Sequence, residues 1–333
     1  MYLSWNSNFN EGVLNKGIEL FANNVKNIFE LNGKQNVIFS YFNCDDKNEY
    51  VIRFSSVLRR SKEEILSEID WINFLYGNGI EVSIPIKSIQ GRYVEELILN
   101  DAHFFVSVFK KAHGICVSLK ERDDNLGYIV GKQMGKIHRL TKLYLPSKGI
   151  LLRPAWYYSK LFSFIESNIP ETEIEIKQIF EENIKEIEKM PLNNDEFGLI
   201  HSDIHYKNFN VENHSITFFD FDDCEYGHFI KDISNIIFYT YFENVEIKDR
   251  EKKFKIFLLN FFKGYHEEND LPDSQLEFLS VFLKIREIVM YAMLYYWRHF
   301  DSCSQWVVEF MKDRKNLLLK GVETIPALNL NII

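Results

Sequence analysis

The sequence predicts an α+β chain in two parts, a mixed helix-and-sheet N-terminal part over residues 1–109 and a mainly helical remainder over residues 110–333. Three observations point there. At 333 residues the chain exceeds a single typical core, and chains of that size divide. Apolar residues run in strand-like stretches before residue 109 and recur at helical spacing from about Ser118. The densest polar cluster, His201 to Asp223, surrounds a short aromatic strand signal well inside the second part.

In the first part, Val13, Leu14, Ile18, Phe21, Val25, Ile28 and Phe29 form a loosely amphipathic pattern that predicts a helix over 13–30. Val37–Tyr41 and Tyr50–Phe54 flank a polar turn and predict a hairpin. The approach to it, Leu31–Asn36, holds one glycine, Gly33. Ser61-Lys-Glu-Glu64 is a capping-box signature opening a helix with Ile65, Ile69, Ile72 and Tyr76 on one face. Gly77-Asn-Gly79 ends it. Glu68 falls beside or within the apolar face, where a lone charge is expensive to bury. Arg53 on the preceding strand is its expected partner. Val82–Ile89 and Tyr93–Ile98 predict a second hairpin around Gln90-Gly91, and Phe104–Phe109 is a last strand leading to a turn at Gly114.

In the second part, Tyr128, Ile129, Val130, Met134, Ile137 and Thr141 fit one helix, on which His138 reads as an ordinary packing residue. Pro146 and Pro154 punctuate an irregular stretch containing Arg153 and Trp156-Tyr157-Tyr158. Thr172–Met190 reads as a helix with a solvated, charged face. Asp232 is placed to cap a helix, and long amphipathic helices follow over 251–266 and 274–300. The last carries Arg286, Tyr291, Tyr295, Tyr296 and Trp297; aromatics at this spacing read as core, with substrate contact the other reading.

The chemistry concentrates between residues 201 and 223. His201-Ser-Asp-Ile-His-Tyr-Lys-Asn208 sets Asp203 five positions before Asn208, and the β-type run from Ile216 delivers Asp220, Asp222 and Asp223 at its end. A hard cation such as Mg²⁺ takes oxygen ligands, which strand-end carboxylates and a loop carboxamide supply. An Asp upstream of them, free of metal, can accept a proton from a hydroxyl. That division of labour suits phosphoryl transfer. Three acids crowded at one strand end repel one another unless a cation sits among them.

These residues resemble the catalytic core of the aminoglycoside phosphotransferase, choline kinase and homoserine kinase superfamily, relatives of the protein kinases. The family pattern H-G-D-x-H-x-x-N is similar to His201–Asn208, with Ser202 where the family has Gly, and I-D-F-[DE]-[DE] is similar to Phe219–Asp223. The likeness runs on through Gly227-His-Phe-Ile-Lys-Asp232. It implies a two-lobed protein-kinase-like fold, ATP and Mg²⁺ as cofactors, and transfer of the γ-phosphate to a hydroxyl of a small molecule (aminoglycoside, amino alcohol or homoserine-like). It implies that Asp203 is catalytic, orienting the hydroxyl and accepting its proton. Asn208 and Asp220 are the implied metal ligands, with Asp222 a second candidate. Arg53, positioned by Glu68, and Asn36 are implied at the nucleotide, the segment Val108–Gly114 at the adenine edge, and Asp232 behind the loop of His201 and Asp203. Arg53 stands where kinases carry Lys, which keeps the charge but substitutes a longer, planar fork. The glycine-poor loop also departs from the kinase pattern.

Other readings of the same residues stand beside this one. His201-x-Asp203-x-His205 suits zinc or iron in a metallohydrolase, and a polar loop before a hairpin needs no chemistry. A catalytically silent nucleotide-binding or scaffold protein is the alternative with the fold kept. Composition narrows the classes: a net charge of −9 and a pI near 5.6 argue against a nucleic-acid surface and leave a cationic small substrate open. Cys44, Cys116, Cys224 and Cys303 lie far apart, so neither a zinc knuckle nor a disulfide framework is indicated. No run approaches the ~20 apolar residues of a membrane span, and the N-terminus lacks a signal-peptide pattern. The expectation is a cytoplasmic protein.

Overall fold

The computed structural model describes residues 8–31, 33, 35–117, 125–156, 161–242, 249–297, 305–326 and 328. Ser118, Tyr157, Tyr158, Cys303, the end of the 274–300 helix and the side chains of Tyr296 and Trp297 lie outside them. The chain forms two compact units. The first holds the described residues to Gly114 together with Tyr144–Arg153 and Thr217–Asp222; the second holds the rest. Two short returns of the chain thus join the first unit, which a single cut in the sequence does not anticipate.

The first unit begins with α1 (Glu11–Glu19), capped by the Asn10 side chain on the Val13 N–H. The strands β1 (Val25–Leu31), β2 (Val37–Asn43) and β3 (Asn48–Ser56) follow, then α2 (Lys62–Gly77), β4 (Pro85–Ile86), β5 (Glu95–Leu99) and β6 (Ala102–Lys110). The sheet order is β1-β2-β3-β6-β4, with β5 also on β6. Its core gathers Val13 and Ile18 of α1 against Tyr41, Ile52, Phe54, Phe104, Val106 and Val108.

Two expectations are corrected. The helix expected over 13–30 stops at Glu19, and Val25–Leu31 is an edge strand with a bulge between Lys26 and Phe29. Its apolar residues imitate helical spacing yet lie largely exposed, Phe29 at 63%. The second hairpin does not form either. β4 and β5 each pair with β6, at Val108–Phe109 and Ala102–Val106 respectively, so the two runs share a neighbour rather than each other. The β2–β3 hairpin forms with Ile38 opposite Arg53. The capping box opens α2 through Ser61 and Glu64, and Asn78 closes it.

The second unit contains α3 (Leu126–Thr141), α4 (Leu161–Asn168), α5 (Ile174–Ile187), β7 (Phe197–Ile200) and β8 (Phe209–Glu212). After β9 (Ser215–Phe218), within which the chain crosses to the first unit, come β10 (Glu225–His228), α6 (Phe229–Phe242) and α7 (Arg250–His266). The remaining helices are α8 (Asp273–Leu276), α9 (Leu279–Trp297), α10 (Gln305–Met311) and α11 (Arg314–Leu319). The expected 274–300 helix is therefore broken before Leu279. Helix α5 is amphipathic rather than merely solvated, with Ile176, Phe180, Ile184 and Ile187 buried.

Helices α3 and α7 touch backbone to backbone. A Cβ on Gly127, Gly131 or Gly135 would lie 2.5, 1.9 or 2.6 Å from the carbonyl oxygens of Phe257, Phe261 and Tyr265. Glycine every fourth residue thus faces carbonyls every fourth residue. This contact seats His138 beneath α6: its ring stacks on Phe229 at 4.7 Å, and its Nδ1 meets the Tyr265 hydroxyl at 2.8 Å.

Candidate active site

The catalytic-loop candidates lie in the second unit, on the turn after β7. β7 pairs with β10, which places the end of one strand beside the start of α6. From the first turn of α6 the Asp232 carboxylate accepts the main-chain N–H groups of His201 (2.9 Å) and Ser202 (2.6 Å). One turn along, the Asn235 side chain donates to the Ser202 carbonyl at 2.6 Å. Asp232 therefore does not cap its own helix, which begins at Phe229; its acceptors serve the loop instead. Burial acts to raise its pKa, but the bonds and charges of His138 and His201 hold it below the usual carboxylate range.

Ser202 adopts φ +68°, a left-handed conformation that glycine takes without strain. That is the physical reason for glycine at this place in the family pattern. Here the serine is held by its backbone bonds and by its hydroxyl, which donates to Glu225 at 2.7 Å. Lys231 in turn pairs with Glu225 at 2.5 Å.

The pinned loop presents Asp203. Its Oδ1 accepts from Arg286 Nη2 at 3.0 Å, and its Oδ2 faces Asn208 Nδ2 at 3.4 Å and His205 Nε2 at 3.5 Å. The side chain keeps 30% exposure although protein surrounds it. Burial acts to raise its pKa; His205, Arg286 and His201 outweigh it and hold the carboxyl far below its ordinary value. It is ionised at neutral pH. Asn208 donates to the Asp203 carbonyl at 2.8 Å. That bond commits the amide nitrogen to the loop, and among the described residues no hydrogen bond engages the carboxamide oxygen. An oriented, unengaged amide oxygen suits a hard cation. His201 is fully buried, and His205 has one ring nitrogen on Asp203 and the other accepting the Lys207 N–H. Nothing in that arrangement favours a zinc or iron site built on the two histidines.

The remaining candidates lie in the first unit. Arg53 and Glu68 form a bidentate pair, Nη1 to Oε1 at 2.9 Å and Nη2 to Oε2 at 2.7 Å, with both side chains almost fully buried. Burial lowers the Arg53 pKa, but Glu68 and Asp222 reverse this and raise it. Its guanidinium also lies 4.9 Å from the Phe109 ring centroid.

Asp222 and Asp220 part company. Asp222 is 3% exposed and ringed by cations. Its carboxylate pairs with Arg59, meets Arg60 Nε at 3.3 Å and accepts from Asn36 Nδ2 at 3.1 Å. Its carbonyl accepts from Arg153 at 2.5 Å. Burial raises its pKa; Arg59, Arg60, Arg53 and Arg153 together drive it well down. Asp220, two residues earlier, is exposed and held at φ +62°. A non-glycine residue there is strained, as functional positions often are. The structure thus brings together Arg53, Glu68, Asn36 and Asp222 in one unit, and Asp203 and Asn208 in the other. Sequence reasoning missed Arg59, Arg60 and Arg153 as partners of Asp222, and Arg286 as a partner of Asp203. Each comes from a distant segment, and no local pattern marks it.

With this geometry in view, comparisons with known proteins decide the family. The model of the phosphotransferase enzyme family (APH) matches residues 35–269. The chain belongs to that family. An amicoumacin kinase of Bacillus subtilis (strain 168) is 31% identical over 252 residues, 75% of each chain. Among solved structures, amicoumacin kinase hAmiN in complex with AMP-PNP, Ca²⁺ and Ami superposes with a TM-score of 0.89 at 26% identity over 98% of both chains. A microcompartment-associated aminopropanol kinase shares the fold, with a TM-score of 0.71 at 17% identity over 94% of this chain and 98% of that one. Family and relatives make this phosphotransferase a small-molecule kinase with the two-lobed, protein-kinase-like α+β fold. No helix among the described residues is long and apolar enough to cross a membrane.

Proposed function

We propose that this phosphotransferase moves the γ-phosphate of ATP, with Mg²⁺, onto a hydroxyl of a small molecule in the cytoplasm. The observation that carries the reading is Asp203, ionised, held at both oxygens and still partly open. A carboxylate so depressed is a weak base, so its work is to accept the hydroxyl's hydrogen bond and fix its direction. It takes the proton late, as phosphorus–oxygen bonding makes the hydroxyl acidic. Bound metal would neutralise charge on the phosphates. Asn208, through its carboxamide oxygen, and the exposed Asp220 are the residues offered to it. Asp222 is better read as the anion of the arginine cluster than as a ligand, because its carboxylate is already paired with guanidinium groups. Arg53, fixed by Glu68, supplies positive charge for the phosphates in place of the kinase lysine. Asn36, on the loop that approaches β2, donates to Asp222 and accepts from Arg59. Gly33 of that loop has its Cα against the Asn36 carbonyl, where a Cβ would come within 2.4 Å, so the loop's single glycine serves its path.

Similarity to amicoumacin kinases puts an amicoumacin-like antibiotic first among acceptors, ahead of aminoglycosides, amino alcohols and homoserine-like compounds. The test is ADP release by the purified full chain with MgATP and, in turn, amicoumacin, kanamycin, choline and homoserine. Acceptor-dependent release that vanishes in Asp203→Asn is expected. ADP release indifferent to every acceptor would overturn the reading.

A further inference from the structure

Arg286 is the residue whose geometry outruns that account. It stands on α9 and donates through a single nitrogen, Nη2, to both Asp203 Oδ1 and the Tyr239 hydroxyl. Its guanidinium lies against the Tyr239 ring, 4.8 Å from the centroid, and that ring in turn packs on His205 at 4.6 Å. Nε is buried with no acceptor. Among the described residues Nη1 has no hydrogen bond either, but it is not among the buried unpartnered atoms, so it is open to solvent on the guanidinium that holds Asp203. The side chain as a whole is 16% exposed. A guanidinium so placed carries an open donor next to the one that holds the catalytic carboxylate, in the same rigid plane.

We infer that Arg286 is a specificity-determining residue, selecting acceptors that carry a carbonyl oxygen, of an amide or a carboxylate, on the carbon beside the hydroxyl-bearing one. The inference rests on the transfer reading above. The acceptor hydroxyl donates to Asp203, and a carbonyl oxygen on the adjacent carbon then lies within reach of the neighbouring Nη1. Charge points the same way. Asp203 is already paired with a fixed guanidinium, so an ammonium group at that carbon gains little from the carboxylate and meets the repulsion of Arg286. An acceptor oxygen meets instead a charged donor that no described side chain holds, and a hydrogen bond to a charged group is of the stronger class. The arrangement therefore favours hydroxy-amides and hydroxy-acids over simple amino alcohols.

The test compares lactamide, 1-amino-2-propanol and 1,2-propanediol, which share one hydroxyl-bearing skeleton. It uses the full chain with MgATP for ADP release, and with AMP-PNP for ligand-detected NMR binding. Lactamide is expected to exceed the other two by about tenfold or more in kcat/KM or affinity, the scale of one hydrogen bond to a charged group. In Arg286→Gln the preference for lactamide is expected to collapse through KM, and Arg286→Lys to retain part of it. A residue that only positioned Asp203 would instead lower kcat for all three in equal proportion. That outcome overturns the inference, as does equal behaviour of the three compounds, including no binding of any. ADP release with the acceptors of the preceding section, without a lactamide preference, removes this inference and leaves the transfer reading standing. Indifference to every acceptor removes that reading itself.

Discussion

Asp232 receives the main-chain N–H of Ser202 at 2.6 Å, and that bond, with its companion from His201, ties the loop that carries Asp203 to helix α6. The carboxylate is fully buried, so both donors depend on it. Asp232→Asn keeps one acceptor oxygen and turns an NH₂ group toward the other donor. A buried donor left unpaired costs about 1–3 kcal/mol. The expected result is a clearly lower melting temperature with partial loss of turnover, whereas Asp203→Asn keeps the loop pinned, gives up only the charge it offers Arg286 and His205, and loses turnover by a factor of roughly 10²–10⁴. Thermal melts and ADP release on the two variants check this. If Asp232→Asn melted like the parent yet matched Asp203→Asn in inactivity, Asp232 would belong to the chemistry.

The buried Arg53–Glu68 pair sets up a second comparison. Removing one partner of a buried ion pair leaves the other charge uncompensated, at about 3–5 kcal/mol. Glu68→Gln should therefore destabilise strongly, because Arg53 retains its charge beside Phe109 with fewer acceptors. Arg53→Lys should be intermediate, since one ammonium cannot reproduce a two-nitrogen fork. Denaturant unfolding gives the order. A Glu68→Gln variant as stable as the parent would show that Asp222 alone suffices to balance Arg53.

Asp220 and Asp222 should behave as different kinds of residue. Asp222→Asn leaves Arg59 and Arg60 without their anion and should lower the melting temperature whether or not nucleotide is present. Asp220→Asn, at an exposed position, should leave the melting temperature nearly unchanged while nucleotide affinity loses its dependence on Mg²⁺. Titrations of ATP with and without Mg²⁺ separate the two. Metal dependence lost in Asp222→Asn and kept in Asp220→Asn would return the ligand role to Asp222.

Stability should fall with acid in two windows. Burial pushes the His228 pKa down to about 4, only partly opposed by the Pro191 carbonyl. The unfolded chain therefore takes up a proton that the fold refuses, starting near the ordinary histidine value of about 6.5. Stability should decline from there toward pH 4, by at most about 1.4 kcal/mol per unit for this one group. Asp203, Asp222 and Asp232 have depressed values, so their contribution is present above the unfolded carboxylate pKa of about 3.9 and is lost below it. Unfolding free energies from pH 8 to 3 check the order. A His228→Phe variant with an unchanged slope between pH 6.5 and 4 would remove histidine from the first window.

What the sequence made legible were the local signals and one paired position. The capping box at Ser61, the Arg53–Glu68 partnership and the place of Asp232 behind the loop of His201 and Asp203 follow from spacing, burial cost and the family resemblance. What it hid were partners brought from far along the chain. Nothing near Arg153 announces that it will donate to the Asp222 carbonyl, and nothing near Arg286 points to Asp203. The β1 edge escaped for a different reason. Apart from Val25, which packs on the core, its apolar residues are exposed, so their spacing imitates a helix with little core to define a face. The glycines of α3 were visible at fixed spacing, but their meaning depends on the carbonyls of α7 that they meet.

At Ser202 one side chain has two opposed effects. At φ +68° a Cβ is strained by about 1–2 kcal/mol relative to glycine. Its hydroxyl offsets that through the bond to Glu225, which also holds Lys231; such bonds are worth about 1.5–3 kcal/mol when one partner is charged. Ser202→Gly removes the strain and the bond together, and its melting temperature should stay near that of the parent. Ser202→Ala keeps the strain and loses the bond, so it should be the less stable of the two by about 1–2 kcal/mol. Both leave the main-chain bonds to Asp232 and Asn235 in place, so turnover should follow stability rather than collapse. Paired melts of the two variants decide it: if Ser202→Ala equals or exceeds Ser202→Gly, the left-handed conformation is not what places glycine at this position in the family pattern.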